Sequence, residues 1–156
     1  MKDVKLKNLN TYVYIDSSNI KNALNVLNVT LDFKKLFEYF QNSYENLKTV
    51  KYFEGVSKTD LDKIKNLESL KNLGYEIKIL ERKVYTEPAK YKKFECFNCG
   101  RKNSVKILKK YENLKSNIDV YLCSELMGDL LKTRSYTHAI ILSCDGDYAE
   151  MIKNVL

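Results

Sequence analysis

The sequence predicts an α/β protein in three layers, with a central parallel sheet and helices on both faces. Three observations predict it. Short apolar runs that read as strands alternate with residues at helical spacing, in the order β-α-α-β-α-β-insertion-α-β-α. The last run, Ala139 to Leu142, is continuously apolar, which suits a strand covered on both faces. The segment after the first run, Asn19 to Leu27, places Ile20, Ala23, Leu24 and Leu27 on one helical face.

Taken in order, residues 1 to 10 are polar and read as a loose lead-in. Tyr12, Val13, Tyr14 and Ile15 form a strand that ends at Asp16, with Ser17 and Ser18 as helix-capping residues. A second helix, Asp32 to Asn42, carries Phe33, Leu36, Phe37 and Phe40 at the same spacing. Val50, Tyr52 and Phe53 then read as a strand ending at Gly55. Thr59-Asp60-Leu61-Asp62 resembles a capping box, with an acid other than the usual Glu at its third position. Leu61, Ile64, Leu70 and Leu73 continue it as a helix, with Leu67 less well placed on the stripe. Gly74 should stop that helix, and Tyr75 to Leu80 should be the next strand.

The rhythm breaks from Arg82 to Lys115. That stretch is basic, holds the sole proline, Pro88, and contains a Cys-x-x-Cys. It reads as an insertion with one or more short strands, such as Val105 to Leu108. Order returns with a helix from Ser116 to about Lys132, marked by Ile118, Leu122, Leu126 and Leu130. After the strand at Ala139, Tyr148 to Leu156 starts a last helix. No internal repeat or low-complexity linker is visible.

The 156 residues suffice for one domain with a sizeable core, residues 1–156, into which 82–115 is inserted. A hydrophobic fraction of 44% with 30% charged residues fits a soluble globular protein. No apolar run approaches the roughly 20 residues of a membrane helix. The opening MKDVKLKNLN lacks the apolar core of a secretory signal, so a cytoplasmic location is expected by default. A net charge of +7 permits an anionic partner such as nucleic acid. The excess is lysine, the arginines being only Arg82, Arg101 and Arg134. Four cysteines in this setting do not suggest a disulfide scaffold.

The chemistry is expected where the acids meet. In a flavodoxin-like strand order, the first and fourth strands are neighbours across the switch point. Their C-terminal ends then place Asp16, Asp145 and Asp147 in one crevice. Asp119, in the first turn of the helix that opens near Ser116, adds a third source, with Glu125 further along it. Several carboxylates a few ångströms apart cannot all ionise cheaply. A Mg²⁺ or Mn²⁺ ion removes the repulsion, and such an ion can activate water for phosphodiester cleavage. Asn19, one turn into the first helix, is placed to hold a metal-bound water or a phosphate oxygen. Each residue has a plainer competing role. Asp16 and Asp147 can cap helices. Ser116-Asn117-Ile118-Asp119 is also capping-box-like. Asp145-Gly146-Asp147 can be an ordinary turn, and Glu125 a solvated helix residue. His138 opens a strand, and Cys123 and Cys144 read as small buried residues.

Five segments carry a family resemblance: VYIDSSNI (Val13 to Ile20), KYFEGV (Lys51 to Val56), LKNLGYEIKIL (Leu70 to Leu80), KSNIDVYLCSEL (Lys115 to Leu126) and AIILSCDGDYAEMI (Ala139 to Ile152). In this order the chain resembles the NYN domains, LabA-like branch, of the PIN-like nuclease superfamily. The resemblance implies a PIN-like fold and metal-dependent ribonuclease activity. It implies Asp16, Asn19, Asp119, Asp145 and Asp147 as the active site, with the four aspartates binding Mg²⁺ or Mn²⁺. This chain departs from the family in having Ser17 and Cys144 where Gly is frequent and Glu125 where Asp is usual. The fifth strand usual in the family is not expected within these residues.

Cys96-Phe97-Asn98-Cys99-Gly100 resembles a zinc knuckle, but structural zinc takes four ligands and no second Cys-x-x-Cys exists. Three readings stay open: a relic in a loop, a half-site completed across a homodimer, or a Zn²⁺ site with unusual ligands. Lys92, Lys93, Arg101, Lys102 and Lys106, interleaved with Tyr91, Phe94 and Phe97, suit RNA phosphates and unpaired bases. The expected function is therefore a metal-dependent ribonuclease. The alternative is a catalytically weak RNA-binding or interaction module of the same fold. A phosphatase of the haloacid dehalogenase type is disfavoured, because Ser18 stands where its second acid belongs.

Overall fold

The first strand sits at the centre because apolar and bulky residues line both of its faces. The computed structural model describes residues 9–133 and 137–155. The expected lead-in before residue 9, together with Arg134 and Leu156, lies outside them. The described chain divides into two compact units, 1–81 with 117–156, and 82–116.

In the first unit, strand β1 (Asn10–Asp16) runs into helix α1 (Ser17–Leu27), and α2 (Phe33–Ser43) follows. Then come β2 (Leu47–Val56), α3 (Leu61–Asn72) and β3 (Glu76–Glu81). After the second unit, α4 (Ile118–Lys132), β8 (Thr137–Leu142) and α5 (Tyr148–Val155) complete it. The four strands form one parallel sheet in the order β3-β2-β1-β8. Asp16 lies beside Phe53 of β2, and Ile15 beside Leu142 of β8. The expected pairing of the first and last strands, and the sheet with helices on both faces, are both present.

Alternation along the strands assigns the layers. Val13, Ile15, Val50 and Tyr52 face one way and pack with Phe40 and Leu67, alongside Ile20, Phe33, Leu36, Phe37 and Ile64. Tyr14 and Phe53 face the other way, against Ile118, Leu122 and Leu126 of α4 and Tyr148 of α5. Each fully buried side chain of this kind contributes about 1.5–3 kcal/mol. The α2 stripe packs as its spacing predicts. On α3 the stripe differs: Leu67 is the buried residue, whereas Leu61 is 67% exposed. Leu27 is likewise exposed, so the inward face of α1 ends at Leu24.

Local chemistry sets the helix ends, and at several the cap is one residue from the expected one. Asp16, not Ser17 or Ser18, caps α1, accepting from the amides of Ser18 and Asn19. Asp60, not Thr59, caps α3 through the amide of Lys63. The capping box expected at Ser116 does not form, since Asn117 precedes α4 without a side-chain cap bond. Gly74 does end the α3 turn, at φ +108°, and a Cβ there would sit 2.5 Å from Phe37 Cζ. Only glycine fits both demands.

The second unit contains more regular structure than its sequence announces. It has four strands: β4 (Lys83–Glu87), β5 (Lys90–Glu95), β6 (Lys102–Leu108) and β7 (Tyr111–Lys115). β4 pairs antiparallel with β7, and β5 with β6. Every residue of β5 and β6 is exposed.

Candidate functional site

Asp16 is the anchor. It ends β1, is 3% exposed, and accepts four hydrogen bonds. Oδ1 accepts from the amides of Ser18 at 3.1 Å and Asn19 at 3.2 Å. Oδ2 accepts from Asn19 Nδ2 at 2.7 Å and from the Tyr148 hydroxyl at 2.9 Å. The fold forces this meeting. β1 delivers Asp16, the first turn of α1 folds Asn19 back, and α5 lays Tyr148 on the α4 face of the sheet. Among the described residues no lysine or arginine pairs with Asp16.

Asn19 donates one of its amide hydrogens to Asp16. Tyr148 is a partner of Asp16 that its sequence position, at the start of the last helix, did not announce. The available signal is that a buried tyrosine needs a partner for its hydroxyl. Burial, then the charge of Asp16, pushes the Tyr148 phenol well above its ordinary value, and Asp119 contributes in the same direction. The hydroxyl therefore stays protonated at neutral pH and donates. That influence also places Asp119 within electrostatic reach of Tyr148. Asp119 stands half-buried in the first turn of α4.

Asp145 and Asp147 stand on the loop after β8 and are exposed. Asp145 donates its amide to Ser143 Oγ at 3.1 Å, and its Oδ1 accepts the Asp147 amide at 3.0 Å. These bonds are an Asx-type turn, the plainer of the two roles open to this stretch. Cys144 beside them is exposed, which corrects the expectation of a buried thiol. Cys123 packs half-buried against the α4 cluster, where burial raises its thiol above the ordinary value.

Glu125 is occupied elsewhere. Lys51 Nζ reaches Glu125 at 2.8 Å and Asp129 at 2.6 Å, and Lys78 reaches Glu125 at 2.9 Å. Tyr14 donates to Asp129 at 2.8 Å. Hydrogen bonding from Lys51 holds the Glu125 carboxyl below its ordinary value. Glu125 therefore belongs to an ion network against the middle of the sheet.

Glu54 is a second buried acid, at 1% exposure, on the opposite face of the sheet. Ser17 Oγ donates to it at 2.6 Å, Lys63 Nζ reaches it at 2.6 Å, and Lys21 also pairs with it. Burial alone would raise its carboxyl, but the bonds from Lys21, Lys63 and Ser17 hold it below its ordinary value. The signal in the sequence is an acid within a strand run, on the face shared by Tyr52 and Val56; such a charge must find cations.

In the second unit, strand register divides the basic residues by face. Lys93, Lys102 and Lys106 share one face with Tyr91, and Lys106 Nζ lies 6.0 Å from the Tyr91 ring centre. Lys92 projects from the other face beside Phe94 and Val105, and Arg101 lies in the turn. Cys96 and Cys99 occupy the tip of the β5–β6 hairpin, both unoxidised. His138, half-buried, rests its ring 5.4 Å from that of Tyr44. Among the described residues no helix is long and apolar enough to cross a membrane.

A four-stranded parallel sheet flanked by helices, with the buried Asp16 at the carboxyl end of an inner strand, is consistent with a PIN-like domain. The family model of the NYN domain matches residues 10–156, and the chain belongs to that family. NYN domains are nuclease-like, RNA-related members of the PIN-like superfamily. No curated protein and no solved structure matches the chain.

Proposed function

We propose that the chain is a metal-dependent ribonuclease that hydrolyses RNA phosphodiester bonds. The observation that carries this reading is Asp16, a buried carboxylate at the sheet edge held only by neutral donors. Its charge is oriented by Asn19 and Tyr148 and left without a cation among the described residues. An oxygen-only donor set of this kind suits Mg²⁺ or Mn²⁺. Asp16 and Asp119 would hold the ion, with Asp145 and Asp147 as loop ligands. Among the described residues, no three acid, cysteine or histidine side chains stand together as a ready cage. The loop acids are exposed, so their approach would complete the set. When bound, the ion supplies Lewis acidity and lowers the pKa of a coordinated water.

The chain's own residues do the rest. Asn19 and Tyr148 fix the plane of the Asp16 carboxylate. Tyr148 stays a donor because its phenol does not ionise. Lys93, Lys102 and Lys106, with Tyr91 on the same ribbon face, suit phosphates and an unpaired base.

A second reading rests on the same carboxylate. Four hydrogen bonds already engage the roughly four acceptor sites of Asp16, as expected of an RNA-binding module without catalysis. Labelled single-stranded and structured RNAs, incubated with Mn²⁺ or with EDTA, separate the two. A ribonuclease gives products that EDTA abolishes, and its Asp145→Asn variant binds RNA but cuts far less. Retention of RNA with no metal-dependent product favours the binding module.

A further inference from the structure

The tip of the β5–β6 hairpin is a tight turn that carries Cys96 and Cys99. The Cys96 amide donates to Arg101 O at 2.9 Å, and the Gly100 amide donates to Cys96 O at 2.8 Å. Gly100 takes φ +67°, the left-handed conformation that lets the chain turn back so tightly. The turn aims the amides of Asn98 and Cys99 at the Cys96 sulfur, and the Cys99 thiol meets the same sulfur. Two adjacent sulfurs held by such a turn are half of a tetrahedral zinc site.

Among the described residues, no group of three histidine, cysteine or acidic side chains is placed to share a metal. The ribbon that carries the knuckle also buries none of its side chains. A two-stranded hairpin of that kind is marginal by itself, and a metal or a partner is the usual remedy. Phe97, at the very tip, is fully exposed, and Phe94, Val105 and Ile107 are about half exposed behind it.

We propose that Cys96 and Cys99 form half of a zinc site, which the same two cysteines of a second copy of this chain complete. The two hairpins meet tip to tip about a two-fold axis, the closure expected of an isologous contact. Four Zn–S bonds form as four thiols release four protons, and no electron moves. The resulting centre, Zn²⁺ with four thiolates, carries two negative charges. Arg101 and Lys102, next to the knuckle in each copy, offset them. The exposed Phe97 rings are covered by the same contact.

The test uses the full chain under reducing conditions, with bound zinc measured by elemental analysis and molar mass by light scattering. The expected result is one zinc per two chains and a mass twice the 18.3 kDa of one chain. EDTA should halve that mass, and Cys96→Ser or Cys99→Ser should abolish both zinc and dimer. Circular dichroism of these variants must keep the wild-type spectrum of the sheet unit. Cys123→Ser and Cys144→Ser should retain both zinc and dimer. One zinc per chain in a monomer would overturn the proposal. So would a zinc-free monomer in added Zn²⁺, a dimer that survives both knuckle substitutions, or zinc loss in Cys144→Ser.

Discussion

Two buried carboxylates stand on neighbouring strands of the same sheet, and they are held in opposite ways. Glu54 is closed by Lys21, Lys63 and Ser17. Asp16 is closed by two amides, an asparagine and a tyrosine, all neutral. A buried charge with its own cations is complete, and removing one partner leaves the others stranded. A buried charge with only dipoles around it keeps its field, which a diffusible cation can still answer. The difference separates an acid that holds the fold together from one suited to chemistry, although both are buried in the same sheet.

Substitutions can break this contrast, beginning with the largest expected effect. Glu54→Gln leaves two lysines facing a neutral amide and should cost about 3 kcal/mol in denaturant unfolding. That is the lower end of the buried-pair range, because Lys21 is 45% exposed. Cleavage by the folded fraction should be unchanged. Equal stability for this variant and wild type would remove the structural half of the comparison. Asp16→Asn keeps a competent helix cap, so its stability should fall by only about 1 kcal/mol. RNA cleavage should drop more than about a hundredfold, beyond the effect of an outer-shell group. Wild-type cleavage in this variant would sink the functional half.

Tyr148→Phe removes one donor from Asp16 without touching its charge. Cleavage should fall about tenfold, and more Mn²⁺ should be needed for half-maximal rate. A stability loss with no change in the Mn²⁺ requirement would make Tyr148 merely structural. The smallest effect is in acid. The Glu54 carboxyl sits below its ordinary value when folded, so its contribution is complete above the unfolded value of about 4.3. It is lost as pH falls through the folded value. The stability gap between wild type and Glu54→Gln should therefore shrink below about pH 4. Glu125 and Glu76, also held low, should leave the variant some acid sensitivity of its own.

How much the sequence revealed follows the same physics. The α2 stripe was legible because it buries a periodic face, and the central and final strands because their runs are apolar, although the final strand is only half-buried and its Ala139 is exposed. The place of Asp16 was legible because the first apolar run stops there. The partners of the buried acids were not, since Glu54 meets Ser17 and Lys21 across more than thirty residues. The choice of Asp16 over Ser17 as cap was also hidden, because Ser17 is drawn away to Glu54. β4, β5 and β7 were invisible for a different reason. Runs such as KYKKFE bury nothing, and backbone pairing alone leaves no apolar signature.

The place of β8 in the sheet has a further consequence. β1 is hydrogen-bonded along both sides, to β2 and β8, whereas β8 pairs only with β1 among the described strands. Amide protons of β1 should exchange with solvent near the rate of global unfolding, and those of β8 sooner, through local opening. Asp16 then rests on the slowest-opening part of the molecule, and Asp145 and Asp147 hang from one that breathes. Hydrogen–deuterium exchange, read strand by strand, would show whether the two sides of the site keep different time.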